Sequence, residues 1–106
     1  AASLGDLGSN FGVSDAKYAG ASGTQMLSET LAKINAAGFV IENVAVQIVG
    51  NNPKIAPRRA EAIAAISTAL GGTKVSVSAT STDGLGFTGE GKGLSAIATA
   101  LLQSAI

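Results

Sequence analysis

The sequence predicts an α/β (α+β) subunit: strands alternate with helices, and a sheet layer is covered by a helix layer. Three observations carry this. Val44, Val46 and Ile48 alternate with Ala45, Gln47 and Val49. Val75, Val77 and Ala79 alternate with Ser76, Ser78 and Thr80. Around these stretches apolar residues recur at helical spacing and stop at glycines, and strands alternating with helices need crossover connections.

In chain order, residues 4–21 set Gly5, Gly8, Gly12 and Gly20 among Asp6, Ser9, Asn10 and Asp15 and sustain no period. Asp6 reads more readily as a turn former than as a ligand, and Tyr18 and Met26 as packing residues. Ser22 and Gln25 have the spacing of a capping box. A helix from Gly23 to Ala37 follows, with Leu27, Leu31 and Ile34 on one face and Gly38 as its stop. The strand through Val44–Val49 is apolar on both faces, which predicts burial on both. Gly50-Asn51-Asn52-Pro53-Lys54-Ile55-Ala56-Pro57 is a turn-rich loop, and Pro57 suits the first turn of a second helix, where a missing N–H costs nothing. That helix carries Ile63, Ile66 and Leu70 and ends at Gly71-Gly72. Arg58 and Arg59 sit at its start, the unfavourable end for cations, which points weakly to an acidic partner. The strand at Val75–Thr80 has one wet face. Beyond the glycines at 84, 86, 89, 91 and 93, Leu94, Ile97, Leu101 and Leu102 predict a third helix.

Length and composition bound the function. At 106 residues the chain is one domain, and seven basic against seven acidic residues leave no electrostatic footprint for nucleic acid or an anionic membrane. Charged residues make up 13% of the chain, against roughly 25% in an ordinary soluble domain, which predicts that part of the surface faces other protein. The sequence contains neither cysteine nor histidine, so disulfides, thiol catalysis and Ser-His-Asp chemistry are excluded within these residues. No apolar run approaches the roughly 20 residues of a membrane span. The opening Ala-Ala-Ser-Leu-Gly-Asp reads as the exit of an earlier element, without an initiator Met, and predicts sequence upstream.

The stretch Ala79–Gly93 holds the densest chemistry. Thr80, Ser81, Thr82 and Asp83 form a polar run at a strand end, next to five glycines. Hydroxyls, a carboxylate and bare backbone suit phosphate oxygens and a divalent cation. A flexible loop tip with tight turns is the competing reading. Gly84-x-Gly86-x-x-Gly89 matches the dinucleotide fingerprint but fails its context: Gly91 and Gly93 delay the helix, and too little chain follows for the second strand with its acidic ribose ligand. Gly91-Lys92-Gly93 lacks the hydroxyl that a Walker loop places after its lysine.

Taken together these segments resemble the 2-C-methyl-D-erythritol 2,4-cyclodiphosphate synthase family. The matching pieces are Leu4-Gly5-Asp6-Leu7-Gly8 with Phe11, Asn43-Val44 opening a strand that leads to Pro53-Lys54, and Thr80 through Gly93. The resemblance implies a lyase of non-mevalonate isoprenoid biosynthesis, a homotrimer with active sites between subunits, and a cytoplasmic (bacterial) or plastid-type setting. In such an enzyme the 2-phosphate of a cytidine-diphosphate-linked methylerythritol attacks the β-phosphate in line and CMP leaves, aided by zinc and by Mg²⁺ or Mn²⁺.

On this chain the resemblance implies that Gly50 and Pro53, Lys54, Ile55 and Ala56 cradle cytosine. Ser81 and Thr82 contact the diphosphate, with Thr82 and Asp83 as the catalytic pair. Asp83 stands where the family places its ligand for the non-zinc metal, often a glutamate. Asp6 and Gly8 bind ribose hydroxyls or lie beside the methylerythritol, whose pocket Phe11 lines. The family's zinc is held by an Asp-x-His pair and a further His, all upstream of its Leu-Gly-Asp segment and none of them in this sequence. The resemblance therefore implies the C-terminal portion of a cyclodiphosphate synthase subunit, and alternatively a catalytically incomplete fragment that keeps a trimeric scaffold and the cytidine pocket. Glu90 and Lys92 stand where many members have Arg and Glu around the trimer axis. Opposite signs are kept, while the arginine that would hold an isoprenoid diphosphate there is absent.

Overall fold

The structure is a computed structural model and describes residues 1–12 and 19–105, so Asp15 and Tyr18 lie outside the described residues. In chain order the elements are α1 (Leu7–Asn10), α2 (Gly23–Ala36), β1 (Phe39–Val49), a 3₁₀ turn (Ala56–Arg58), α3 (Arg59–Ala69), β2 (Lys74–Thr80), α4 (Gly86–Gly89) and β3 (Ser95–Ser104). The sheet order is β2-β1-β3. β1 and β2 run parallel, joined across α3, with Val44 opposite Val75, Val46 opposite Val77 and Ile48 opposite Ala79. That unit is the crossover the alternating pattern predicts.

The helices form where their caps and stripes require. Ser22 accepts the Gln25 N–H at 3.1 Å and starts α2, whose Leu27 and Leu31 reach the core. Pro57 sits in the 3₁₀ turn that opens α3, and Gly71 and Gly72 close that helix with positive φ. Val44, Leu70, Val75 and Val77 are buried together, with Leu27, Leu31, Ile63 and Ile66 packed around them. Met26 is half-buried, as a packing residue should be.

Two expectations are corrected. Leu94–Leu102 is not a third helix: Ser95–Ser104 is a strand, antiparallel to β1. Its true period is two, with Ala96, Ala98 and Ala100 opposite Ile48, Val46 and Val44 on the helix-covered face. Alanine carries little weight in a search for large apolar residues, so Ile97 and Leu101, four apart, simulated a helical stripe. The free edge of β1 supplied a ladder of backbone hydrogen bonds, and pairing overrode local propensity.

The second correction concerns β1. It is covered on one face only: Val44 is buried and Val46 and Ile48 half-buried, while Ala45 and Gln47 are exposed. The uncovered face carries Ser76 and Ser78 of β2 and the exposed Ile97 (62%) and Leu101 (57%) of β3. An irregularity in the β1–β3 register between Ile41 and Asn43 inserts Glu42, so Ile41 and Val44 share the inner face despite their odd spacing. The radius of gyration is 15.1 Å, against about 13 Å for a compact domain of this length.

Candidate functional site

A cleft of about 220 Å³ opens at the carboxyl ends of β1 and β2, where open α/β sheets present their ligand sites. One wall is the loop after β1: Gly50, Pro53, Lys54, Ile55 and Ala56. The other is the end of β2, with Thr80 and Ser81. The Gly50 N–H donates to the Thr80 carbonyl at 3.0 Å and holds the walls together just past the last paired residues. Gly50 has no room for a side chain, because a Cβ there would run into Leu94, itself part of the lining. The Lys54 ammonium donates to Asn51 Oδ1 at 3.0 Å, which steadies the loop.

Thr82 and Asp83 lie just beyond this wall. The Leu85 N–H donates to the Thr82 carbonyl at 3.1 Å, and the intervening Asp83 and Gly84 have φ of 56° and 82°. Two positive φ values in a hydrogen-bonded turn are the mark of a type I′ bend. The Thr82 hydroxyl donates to the Leu85 carbonyl, and Ser81 Oγ accepts the Asp83 N–H at 3.3 Å. Asp83 thus stands at an exposed tip, and among the described residues its carboxylate accepts no hydrogen bond and joins no ion pair. Behind the tip α4 brings the buried Gly89 against Gly84 and Thr82. This short helix was not foreseen in the glycine run.

Asp6 and Phe11 lie elsewhere. They help line a second cleft, of about 350 Å³, between α1, α2 and β3, which shares no residue with the first. Asp6 is an N-cap: its Oδ1 accepts the Ser9 N–H at 2.9 Å, while the Ser9 hydroxyl accepts the Asp6 N–H at 3.1 Å. Asp6 thus caps one short helix in a stretch expected to be irregular, and Gly8 lies inside that helix. Phe11 is buried, with the Lys33 ammonium 5.2 Å from its ring centre.

The hydrogen bond from the Ser9 N–H, supported by the Ser9 hydroxyl, holds the Asp6 carboxyl below the usual carboxylate range. A depressed folded pKa adds stability that is complete above the unfolded value, about 3.9, and lost as pH falls through the lower folded value. A carboxyl-carbon NMR titration should place the Asp6 midpoint below about 3.9, and Ser9→Ala, which removes the hydroxyl but keeps the backbone donor, should raise it only part of the way. A wild-type midpoint at or above about 3.9 would contradict the cap.

Of the paired arginines, Arg58 has no need of an external acid: its guanidinium grips Glu61 with donor distances of 2.9 and 2.7 Å and holds that carboxyl below its ordinary range. Arg59 instead lines the first cleft. The pocket reading of Gly50–Ala56 missed it, because the signal lay one helical turn further along. Lys92 pairs with Glu90 at 3.4 Å within the chain.

Among the described residues no group of three or more His, Cys, Asp or Glu is placed to hold an ion. Zinc, which takes His, Cys and carboxylate ligands, does not fit a histidine- and cysteine-free chain. Mg²⁺ is different, since it is commonly held by one or two carboxylates plus substrate phosphates, and the free Asp83 tip fits that role. No helix among the described residues is long and apolar enough to cross a membrane.

Known proteins share this sequence and fold. The chain is 53% identical over 102 residues to a 2-C-methyl-D-erythritol 2,4-cyclodiphosphate synthase of Cutibacterium acnes, covering 96% of this chain and 60% of the relative. It is 50% identical over 103 residues to a bifunctional enzyme IspD/IspF of Clavibacter michiganensis, covering 97% and 25%. Among solved structures, the bifunctional IspDF of Campylobacter jejuni superposes with a TM-score of 0.90 at 26% identity, over 98% of this chain and 29% of that one. A Plasmodium falciparum IspF in complex with CDP gives 0.77 at 28% identity, over 93% and 60%. The chain thus spans about 60% of the length of the single-function relatives it matches. The YgbB family profile matches residues 1–103, and the chain belongs to the YgbB family.

Proposed function

We propose that the protein carrying this chain is a 2-C-methyl-D-erythritol 2,4-cyclodiphosphate synthase, a phosphorus–oxygen lyase of non-mevalonate isoprenoid biosynthesis. It converts 4-diphosphocytidyl-2-C-methyl-D-erythritol 2-phosphate to the cyclodiphosphate with release of CMP. The observation that carries this reading is the shared cleft, which sets the backbone of Gly50 and Pro53–Ala56 against Ser81 at the strand ends. N–H and C=O groups of the loop read the cytosine edge, while the Ser81 and Thr82 hydroxyls orient the diphosphate. Asp83 holds Mg²⁺ or Mn²⁺, a cation that neutralises the bridging phosphates when bound. Positioning of the 2-phosphate for in-line attack is then the main contribution of the chain itself. Zinc finds no ligand set among the described residues.

The active form on this reading is a homotrimer. Three features support it: the uncovered sheet face with Ile97 and Leu101, the large radius of gyration, and two clefts that share no residue. A complete site would join the nucleotide cleft of one subunit to the Asp6 and Phe11 cleft of a neighbour. On this reading the protein works in a bacterial cytoplasm, which the bacterial source of its relatives supports. The absence of histidine favours a second reading for residues 1–106 taken alone, which would bind cytidine nucleotide without turnover.

Calorimetric titration separates a base-reading pocket from a generic phosphate site. CDP should bind at least about tenfold more tightly than ADP, a difference of about 1.4 kcal/mol. Equal affinities would remove the cytidine reading.

A further inference from the structure

We propose that Arg59 is an anion-contacting residue of the nucleotide cleft, supplying the free positive charge that the nucleotide's phosphate meets there. The inference rests on the cytidine-diphosphate reading and extends it to a residue outside the resembling motifs.

The argument starts from what each cation near the cleft is doing. Arg58, one residue earlier, is committed to Glu61 through two hydrogen bonds. The Lys54 ammonium is tied to Asn51. Arg59 lines the cleft and is exposed, and among the described residues its guanidinium makes no hydrogen bond or ion pair. Among the described residues no acidic one lines the cleft to neutralise it. An unpaired guanidinium beside an acid-free cleft attracts anions and offers a planar fork of donors matched to phosphate oxygens.

Size brings that fork to the phosphate. At about 220 Å³ the cleft is smaller than the roughly 300 Å³ at which ligand pockets usually begin. A nucleotide whose base lies on Pro53–Ala56 and whose phosphate meets Ser81 fills it wall to wall. Arg59 opens α3 immediately after the 3₁₀ turn that begins at Ala56, so it flanks such a ligand. Stacking of the guanidinium on the base is the competing arrangement, and the test separates the two.

The wild-type protein, Arg59→Met and Arg59→Lys are titrated with CDP, cytidine and inorganic pyrophosphate. Arg59→Met should weaken CDP and pyrophosphate about tenfold and leave cytidine within about twofold, while Arg59→Lys stays within about threefold of wild type on all three. The CDP affinity of the wild type should also fall with added salt more steeply than that of Arg59→Met. Unchanged CDP and pyrophosphate binding in Arg59→Met overturns the proposal, and so does an equal loss for cytidine, which would mark a base contact. A wild type that binds CDP and ADP alike sinks the cytidine reading alone, because a phosphate contact is blind to the base.

Discussion

Gly89→Ala should abolish most turnover while leaving the sheet intact. Gly89 is buried in α4, and a Cβ there would sit 2.5 Å from Thr82 Oγ1 and 2.6 Å from the Gly84 carbonyl carbon. The hydroxyl can rotate away, but the Gly84 backbone cannot, because it forms the tight turn between Thr82 and Leu85. Relief therefore means opening that turn or shifting α4, a strain of about 1–3 kcal/mol of the kind overpacking produces. Either movement displaces Thr82 and Asp83 by a fraction of an ångström to an ångström. Misplacement of about 1 Å costs on the order of 10²-fold where positioning carries the catalysis. Thermal unfolding and kcat measured on the same variant check both halves. Wild-type kcat would mean that the close approach of α4 to the tip has no bearing on the chemistry.

Why the glycine loop was legible as a candidate site, and α4 within it was not, follows from what each depends on. The run Thr80–Asp83 declares its chemistry through residue types, and the strand end that presents it follows from period-two alternation at Val75–Ala79. The turn at α4 depends on contacts between residues several positions apart, which no local pattern encodes. The same holds for β3. Its register against β1 comes from a partner strand about fifty residues away, and its inward face is built from alanines whose apolar signal is faint. Burial on both faces of β1 was the natural inference from Val44–Val49, yet a single chain covers one. The apolar residues left on the uncovered face are what a chain with so few charges would set against another subunit. The two-cleft layout was the least legible feature, because Asp6 and Phe11 are brought beside Thr30, Lys33 and Ile34 of α2 and Ala100 and Leu102 of β3 by tertiary packing.

Asp83→Asn offers the cleanest test of the proposed chemistry, because the backbone barely notices it. The residue has a φ of 56°, a conformation that Asp and Asn tolerate far better than other non-glycine residues, so the turn survives the change. The Asp83 N–H to Ser81 Oγ bond involves only the main chain of residue 83 and also persists. What disappears is one negative charge at an exposed tip. If that carboxylate holds the divalent cation between the phosphates, kcat should fall by roughly 10²-fold or more, the scale seen when a preorganised electrostatic partner is removed. The concentration of Mg²⁺ or Mn²⁺ needed for half-maximal activity should rise in parallel, while cytidine, which carries no phosphate, binds as before. Asp83→Ala would confuse the matter by straining the turn, whereas Asp83→Gly keeps the turn and removes the carboxylate entirely. Both the Asn and Gly variants should therefore lose activity together. Should either retain activity within about threefold of wild type at limiting metal, the cation is held by something other than Asp83.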